Sequence, residues 1–161
     1  MVMRLAVKVY YEDTDCLGVV YYANYLKYFE RGRSEYISAR GKPIEVWNTE
    51  GYNFVVYKVT VTFHKPAKLG DVCDVVTRVV PKSPYRLHMK QHLERGGEML
   101  TEAVVQLVCL DEDLELREFP DLLLAHAEEQ QRQWLAEPPA SGKRASTRGS
   151  TTCGDDDKLE L

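Results

Sequence analysis

The span Tyr11-Glu12-Asp13-Thr14-Asp15-Cys16-Leu17-Gly18-Val19-Val20-Tyr21-Tyr22-Ala23-Asn24-Tyr25 sets two carboxylates, a glycine and the start of a helical pattern side by side, directly after a segment that alternates like a strand. A carboxylate on such a loop can attack a carbonyl carbon, or deprotonate a water that does. The unpaired N–H groups of a helix's first turn then face the oxyanion that forms. One turn would supply both halves of an acyl-transfer site. A plainer reading fits the same residues, because negative charge is favoured at any helix start. Spacing alone leaves both open.

Other reactive side chains give weaker patterns. Cys16 adjoins Asp15, but no histidine lies near it in sequence to generate a thiolate. His88 and His92, with His64, could suggest a metal, but the first two fall four residues apart in an alternating segment, which places them roughly 13 Å apart on a strand, too far to share an ion directly. No metal is expected. Asp13-Thr14-Asp15 after a strand also resembles the first motif of a magnesium phosphotransferase of the haloacid-dehalogenase type, with Gly70-Asp71-Val72-Cys73-Asp74 as a candidate last motif. That fold needs strands interleaved with helices, and the order of elements here differs.

The elements that must position the carboxylates read as follows. Leu5, Val7, Val9 and Tyr11 alternate with Arg4, Ala6, Lys8 and Tyr10, as in a half-buried strand. From Asn24 to Arg40 the period changes: Tyr25, Phe29, Gly32 and Tyr36 share one helical face, flanked by Leu26, Arg33 and Ile37, and Gly41 with Pro43 ends the helix. Gly32 in mid-helix costs about 1 kcal/mol relative to alanine, which points to a close approach between sheet and helix there. A connection follows over 42–52, with a short helical turn near Ile44 to Trp47. Four strands are then expected in series: Phe54 to His64, with Val55, Tyr57, Val59, Val61 and Phe63 on one face; Val72 to Val80; Tyr85 to Glu94; and Met99 to Leu110 after the Arg95-Gly96-Gly97-Glu98 turn. One strand, one long helix and an antiparallel four-strand meander make an α+β domain. Pro120 to Leu135 reads as a closing helix.

At 161 residues with a net charge of −4, the chain is one domain's worth and no general nucleic-acid binder. A domain of this size buries roughly 70% of its extended surface and needs no disulfides. Cys16, Cys73, Cys109 and Cys153 form no CxxC pair, no basic-apolar leader precedes the first strand, and no apolar run nears the roughly 20 residues of a membrane span. The expectation is a cytoplasmic protein with reduced thiols and no membrane span. Domain limits of 1–137 are expected, with 138–161, rich in Ser, Thr, Gly and Arg and ending in Gly154-Asp155-Asp156-Asp157-Lys158, too poor in apolar residues to join the fold.

The order Asp13-Thr14-Asp15, Gly18-Val19-Val20, Tyr22-Ala23-Asn24-Tyr25, Phe29-Glu30-Arg31 and Arg33-Ser34-Glu35, with Val59-Thr60-Val61, Pro66-Ala67 and Gly70-Asp71 downstream, resembles the acyl-CoA thioesterases of the hotdog superfamily, in the 4-hydroxybenzoyl-CoA thioesterase-like branch. The resemblance covers roughly residues 5 to 120. It implies a hotdog fold, an antiparallel sheet wrapped around one long central helix, and hydrolysis of short-chain or aromatic acyl-CoA to free acid and CoA without a cofactor. Carried over by position, Asp15 is the nucleophile or general base, as the second aspartate of an Asp-x-Asp-x-x-Gly pattern, and the Tyr22 backbone N–H is the oxyanion donor. Many close relatives have histidine where this chain has Tyr22, so any imidazole assistance is lost here. Asp13 shapes the loop. Gly18 and Val19 border the substrate, and Phe54, Val55 and Val56 of a neighbouring subunit complete the acyl pocket of a homodimer or homotetramer. CoA phosphates call for cations near an open edge, and Lys58, Lys82, Arg86 and Lys90 are the candidates, although alternating basic residues also decorate any solvated sheet face. The tyrosine-rich stretch from Tyr10 to Tyr36 suits either an acyl pocket or packing. A hotdog module that binds thioesters without hydrolysing them is the main alternative, since fold alone does not establish activity. A hotdog dehydratase would need a histidine-bearing motif that is not seen.

Overall fold

A computed structural model describes residues 2–136; the expected tail at 138–161 lies outside the described residues. The order of elements is β1 (Met3–Lys8), α1 (Tyr25–Ser38), α2 (Ile44–Thr49), β2 (Asn53–Phe63), β3 (Val72–Ser83), β4 (Arg86–Arg95), β5 (Glu98–Leu110), β6 (Leu116–Arg117) and α3 (Asp121–Ala136). The strands pair antiparallel in the order β1-β3-β4-β5-β2, with β6 added to β5.

The expected four-strand meander is corrected here. Only β3, β4 and β5 are consecutive neighbours, while β2 pairs with β5 at the far edge. The connection from Phe63 to Val72 carries the chain across the end of the sheet. It is pinned on the way by Ala67, whose N–H donates to the Tyr25 hydroxyl at 3.0 Å. The short β6 was not foreseen in the sequence, since two residues carry no periodicity.

One face of the sheet is apolar and packs on α1. Val75 and Val79 of β3, Leu87, Met89 and Leu93 of β4, and Ala103, Val105 and Leu107 of β5 are buried against Tyr25, Phe29, Tyr36 and Ile37. Tyr28 joins this face as well, whereas Leu26, expected at its flank, is exposed. Gly32 is the point of closest approach: a Cβ built there would lie 2.6 Å from Val75 Cγ1 and 2.9 Å from Thr77 Oγ1. Gly32→Val is therefore expected to destabilise the protein by about 2 kcal/mol or more, read as a lower urea midpoint at unchanged slope, because overfilling a packed interior forces backbone shifts.

A bulge between Val56 and Lys58 resets the side-chain alternation of β2. Phe54 and Val56 thereby share the helix-side face with Val59, Val61 and Phe63, opposite Cys109, Leu107, Val105, Ala103 and Thr101, and Val55 turns to the other face. This corrects the expected grouping of Val55 with Val59. Along its outer edge β2 is unpaired among the described residues, and Val55, Val56, Tyr57, Val59 and Phe63 are exposed.

Candidate active site

Strand β1 ends at Lys8, earlier than its alternation suggests, because Tyr11–Asp13 coils into a 3₁₀ turn. Residues 14 to 20 then form a tight hairpin: Thr14 and Val20 bridge, Asp15 N–H donates to Val19 C=O at 2.9 Å, and Gly18 N–H donates to Asp15 C=O at 3.0 Å. Gly18 has φ of +71°, the left-handed conformation that favours glycine at this corner. At the apex, Leu17 N–H donates to Asp15 Oδ1 at 2.8 Å, which fixes the carboxylate's orientation. Asp15 Oδ2 carries no hydrogen bond among the described residues.

The hairpin leads straight into the helix. A 3₁₀ turn over Tyr22–Asn24 runs into α1, and the Tyr22 N–H, first in that turn, donates to no group among the described residues. Asp13 ties the two parts together. Its C=O accepts from Tyr21 N–H at 2.9 Å and from Asn24 Nδ2 at 3.0 Å, and its Oδ2 accepts from Tyr10 N–H at 2.9 Å. Asp13 is buried, as a loop-shaping carboxylate should be. The Tyr28 hydroxyl lies against this carboxylate without reaching full hydrogen-bond geometry, and burial followed by the Asp13 charge pushes its pKa far up, so it stays protonated. Gly18 and Val19 border the site, with Val19 bridging to Lys68 and Leu69 N–H donating to Gly18 C=O at 3.0 Å. The Tyr22 ring projects outward, tilted on Tyr21 with centroids 4.7 Å apart. Val20, Tyr22, Tyr25, Phe63 and Pro66 line a shallow apolar groove from the helix start to the β2 edge.

The basic candidates gather elsewhere. Lys82, Arg86 and Lys90 surround His88, whose pKa is lowered by partial burial and by these three cations. Lys58 faces the same patch across Gln106, which pairs with both Lys58 and His88. The patch occupies the outer face of the sheet, towards the end remote from Asp15: Arg86 and Arg95 terminate β4 at opposite ends, roughly 30 Å apart by strand rise, and Arg95 is the end tied to Asp71 beside the Asp15 hairpin. Phe54 and Val56 also lie at the remote end. Within one chain, therefore, Asp15, Tyr22, Gly18 and Val19 come together, while Phe54, Val55, Val56, Lys58, Lys82, Arg86 and Lys90 do not join them.

His64 pairs with Glu102 and His92 with Glu94, each at 3.0 Å. Cys16 is exposed, while burial pushes the Cys73 and Cys109 thiols up to about 11.

Comparison with known proteins decides the family. The family model described as the thioesterase superfamily matches residues 17–102. The chain belongs to the thioesterase superfamily. The acyl-CoA thioester hydrolase YbgC of Escherichia coli is 37% identical over 109 residues, covering 67% of this chain and 81% of that protein. The crystal structure of a probable thioesterase from Bartonella henselae superposes with a TM-score of 0.72 at 33% identity, covering 74% of this chain and all of that one. The DHNA-CoA thioesterase of Staphylococcus aureus superposes with a TM-score of 0.77 at 26% identity, over 84% of this chain and 95% of that one. The superfamily's hotdog fold is the architecture described above, with α1 as the helix and the curved sheet around it. The matched region of this thioesterase begins two residues after Asp15 and includes the whole of α1 and β2 to β4.

One polar constellation escaped the sequence reading. Arg33, buried on the apolar face of α1, donates through Nη1 to Gln91 Oε1 at 3.0 Å and pairs through Nη2 with Glu30; Gln91 Nε2 donates to Phe29 C=O and to Thr77 Oγ1, both at 2.9 Å. An arginine in register with Phe29 and Tyr36 was the available signal, because a charge on a core-facing stripe needs a partner.

Proposed function

We propose that the protein is an acyl-CoA thioester hydrolase in which Asp15 attacks the thioester carbonyl or activates the water that does, with the Tyr22 N–H receiving the oxyanion. The observation that carries this reading is the Asp15 carboxylate, anchored through one oxygen at the hairpin apex and free through the other, on a loop bonded directly to a helix start whose first N–H is unclaimed. Hydrolysis cleaves the acyl carbon–sulfur bond; water supplies the acid's oxygen, and CoA leaves as a thiol. The names of the YbgC and DHNA-CoA relatives agree with a CoA thioester as substrate. A merely binding module would have no use for a carboxylate oxygen held ready in this way.

The assembly follows from the edge strand. An exposed apolar strand with one unpaired edge calls for a partner. Two copies that pair their β2 edges antiparallel about a two-fold axis extend both sheets and keep both helices on one side. With the eleven residues of β2 fully overlapped, Phe63 of one copy meets Asn53 of the other. The groove at Tyr22, Tyr25 and Phe63 then adjoins the second copy's Phe54, Val55 and Val56, and that copy's Lys58, Lys82 and Arg86 come to the end of the sheet where Asp15 lies. Lys90, farther along β4, sits at the margin of the patch. Each site thus takes its reacting groups from one subunit and its acyl wall and phosphate-binding cations from the other.

Free-thiol release from a panel of acyl-CoA and aryl-CoA esters tests the reaction; no release from any ester would refute it. In the same assay, replacing Arg86 and Lys90 with alanine is expected to raise KM more than it lowers kcat for CoA esters, and to leave short thioesters without the nucleotide nearly unchanged. Equal losses on both kinds of substrate would place the phosphate site elsewhere.

A further inference from the structure

On the outer face of the sheet, where the end of α3 leans over β3, lies a cleft of about 640 Å³, within the roughly 300–1,000 Å³ of small-molecule sites. Trp134 of α3, Val76 of β3, and Met99 and Val104 of β5 give it apolar walls. Across it, one row of the sheet reads Arg78, Lys90, Val104: Arg78 stands directly opposite Lys90, and Lys90 directly opposite Val104. Like charges facing each other on neighbouring strands repel. Neither cation has a carboxylate partner among the described residues. The acids that border the cleft are engaged elsewhere, Glu94 by Arg4 and His92, and Glu102 by His64. Arg78 is held in place, its guanidinium 4.1 Å from the centroid of the Trp134 ring, and burial lowers its pKa with no acid to offset the effect. Two unbalanced positive charges therefore sit over an apolar floor. Inorganic phosphate would reach the cations but leave the indole and the valines uncovered. An apolar chain ending in one carboxylate matches both parts.

We propose that this cleft is a second binding site, on the sheet face opposite α1, for a free carboxylic acid with a long apolar chain, its carboxylate between Arg78 and Lys90 and its chain along Val76, Val104 and Trp134. Neither Asp15 nor Tyr22 lines the cleft, so the assignment does not depend on the thioesterase reading. Lys90 also borders the patch assigned to CoA phosphates, whereas Arg78 does not, and the decisive variants therefore change Arg78 and Val104.

The test titrates the full chain with decanoate, below its micelle concentration, by calorimetry and by Trp134 emission, which is identified by its loss in Trp134→Phe. Saturable binding at one site per chain is expected. The uncharged 1-decanol is expected to bind about tenfold or more weakly, the usual worth of bonds to a charged group. Arg78→Gln is expected to weaken decanoate by a similar factor, and Val104→Phe to do so by filling the cleft, while both keep wild-type hydrolysis of a CoA ester. Should Arg78→Gln fail to fold, Val104→Phe and the comparison of acid with alcohol still decide. Equal affinity for acid and alcohol, or unchanged affinity in Val104→Phe, would overturn the assignment. Loss of decanoate binding in Asp15→Asn but not in Arg78→Gln would move the ligand to the reaction site and overturn it as well. No saturable binding, with Val104→Phe instead lowering the mass of the assembly in sedimentation, would give the cleft to a second copy of the chain. Each of these results leaves the hydrolase reading intact, and failure to cleave thioesters would in turn leave this site standing.

Discussion

Asp15→Asn is expected to lower thioester hydrolysis by on the order of 10² to 10⁴ while the protein stays folded, the range lost when a positioned acid or base is removed. The amide oxygen can still accept the Leu17 N–H, so the hairpin keeps its shape, and the loss is confined to the oxygen that reacts. Asp13→Asn is expected to cost less, since three of its four hydrogen bonds are made by its backbone N–H and C=O and survive the change. Steady-state kinetics with matched circular dichroism spectra check both. Near-full activity in the Asp15 variant would remove it from the chemistry.

The second large effect concerns the shared site. In the proposed β2-paired dimer, Asp15→Asn homodimers would lack the reacting carboxylate, and Lys58→Ala/Arg86→Ala homodimers would lack the cations assigned to the opposite subunit's site. Co-refolding the two variants in equal amounts is expected to restore about a quarter of wild-type activity at low CoA-ester concentration, because half of the dimers are mixed and each mixed dimer holds one complete site. Activity equal to the mean of the two parents would mean that each chain builds its whole site alone. Sedimentation of the wild type gives an independent check, as a stable, active monomer at micromolar concentration is incompatible with a divided site.

Much of this organisation was legible in the residues. The strict alternation of Leu87, Met89, Gln91 and Leu93 with Arg86, His88, Lys90 and His92 is borne out by burial of the first set, and the Gly96-Gly97 corner adopts the positive φ values of 57° and 83° that suit a two-residue hairpin. The close approach at Gly32 was readable because a glycine in mid-helix needs a reason. What the sequence concealed was non-local. A bulge adds one residue without any compositional mark, so the face of β2 changed at Tyr57 unseen. Pairing order was likewise hidden: nothing in Phe54 to Phe63 says that its partner is β5 rather than the strand that follows. Arg86 and Lys90 share a strand face as read, but only the three-dimensional arrangement reveals that the basic patch lies towards the end of the sheet remote from Asp15 within one chain.

The placement of β2 also governs the order in which the chain can assemble. The hairpins β3-β4 and β4-β5 close over short turns, whereas β2 pairs with the more distant β5, with Asn53 meeting Leu110 at a sequence separation of 57. Closing a long loop before its contacts form is slow, so β2 is expected to dock onto a preformed β3-β4-β5 unit. Until then its run Phe54-Val55-Val56-Tyr57 is exposed on both edges, a segment of the kind that recruits other nascent chains. Lys58 and the bulge beside it interrupt that run at the middle of the strand. A charged residue and a bulge at mid-strand are the features that discourage out-of-register addition of further strands.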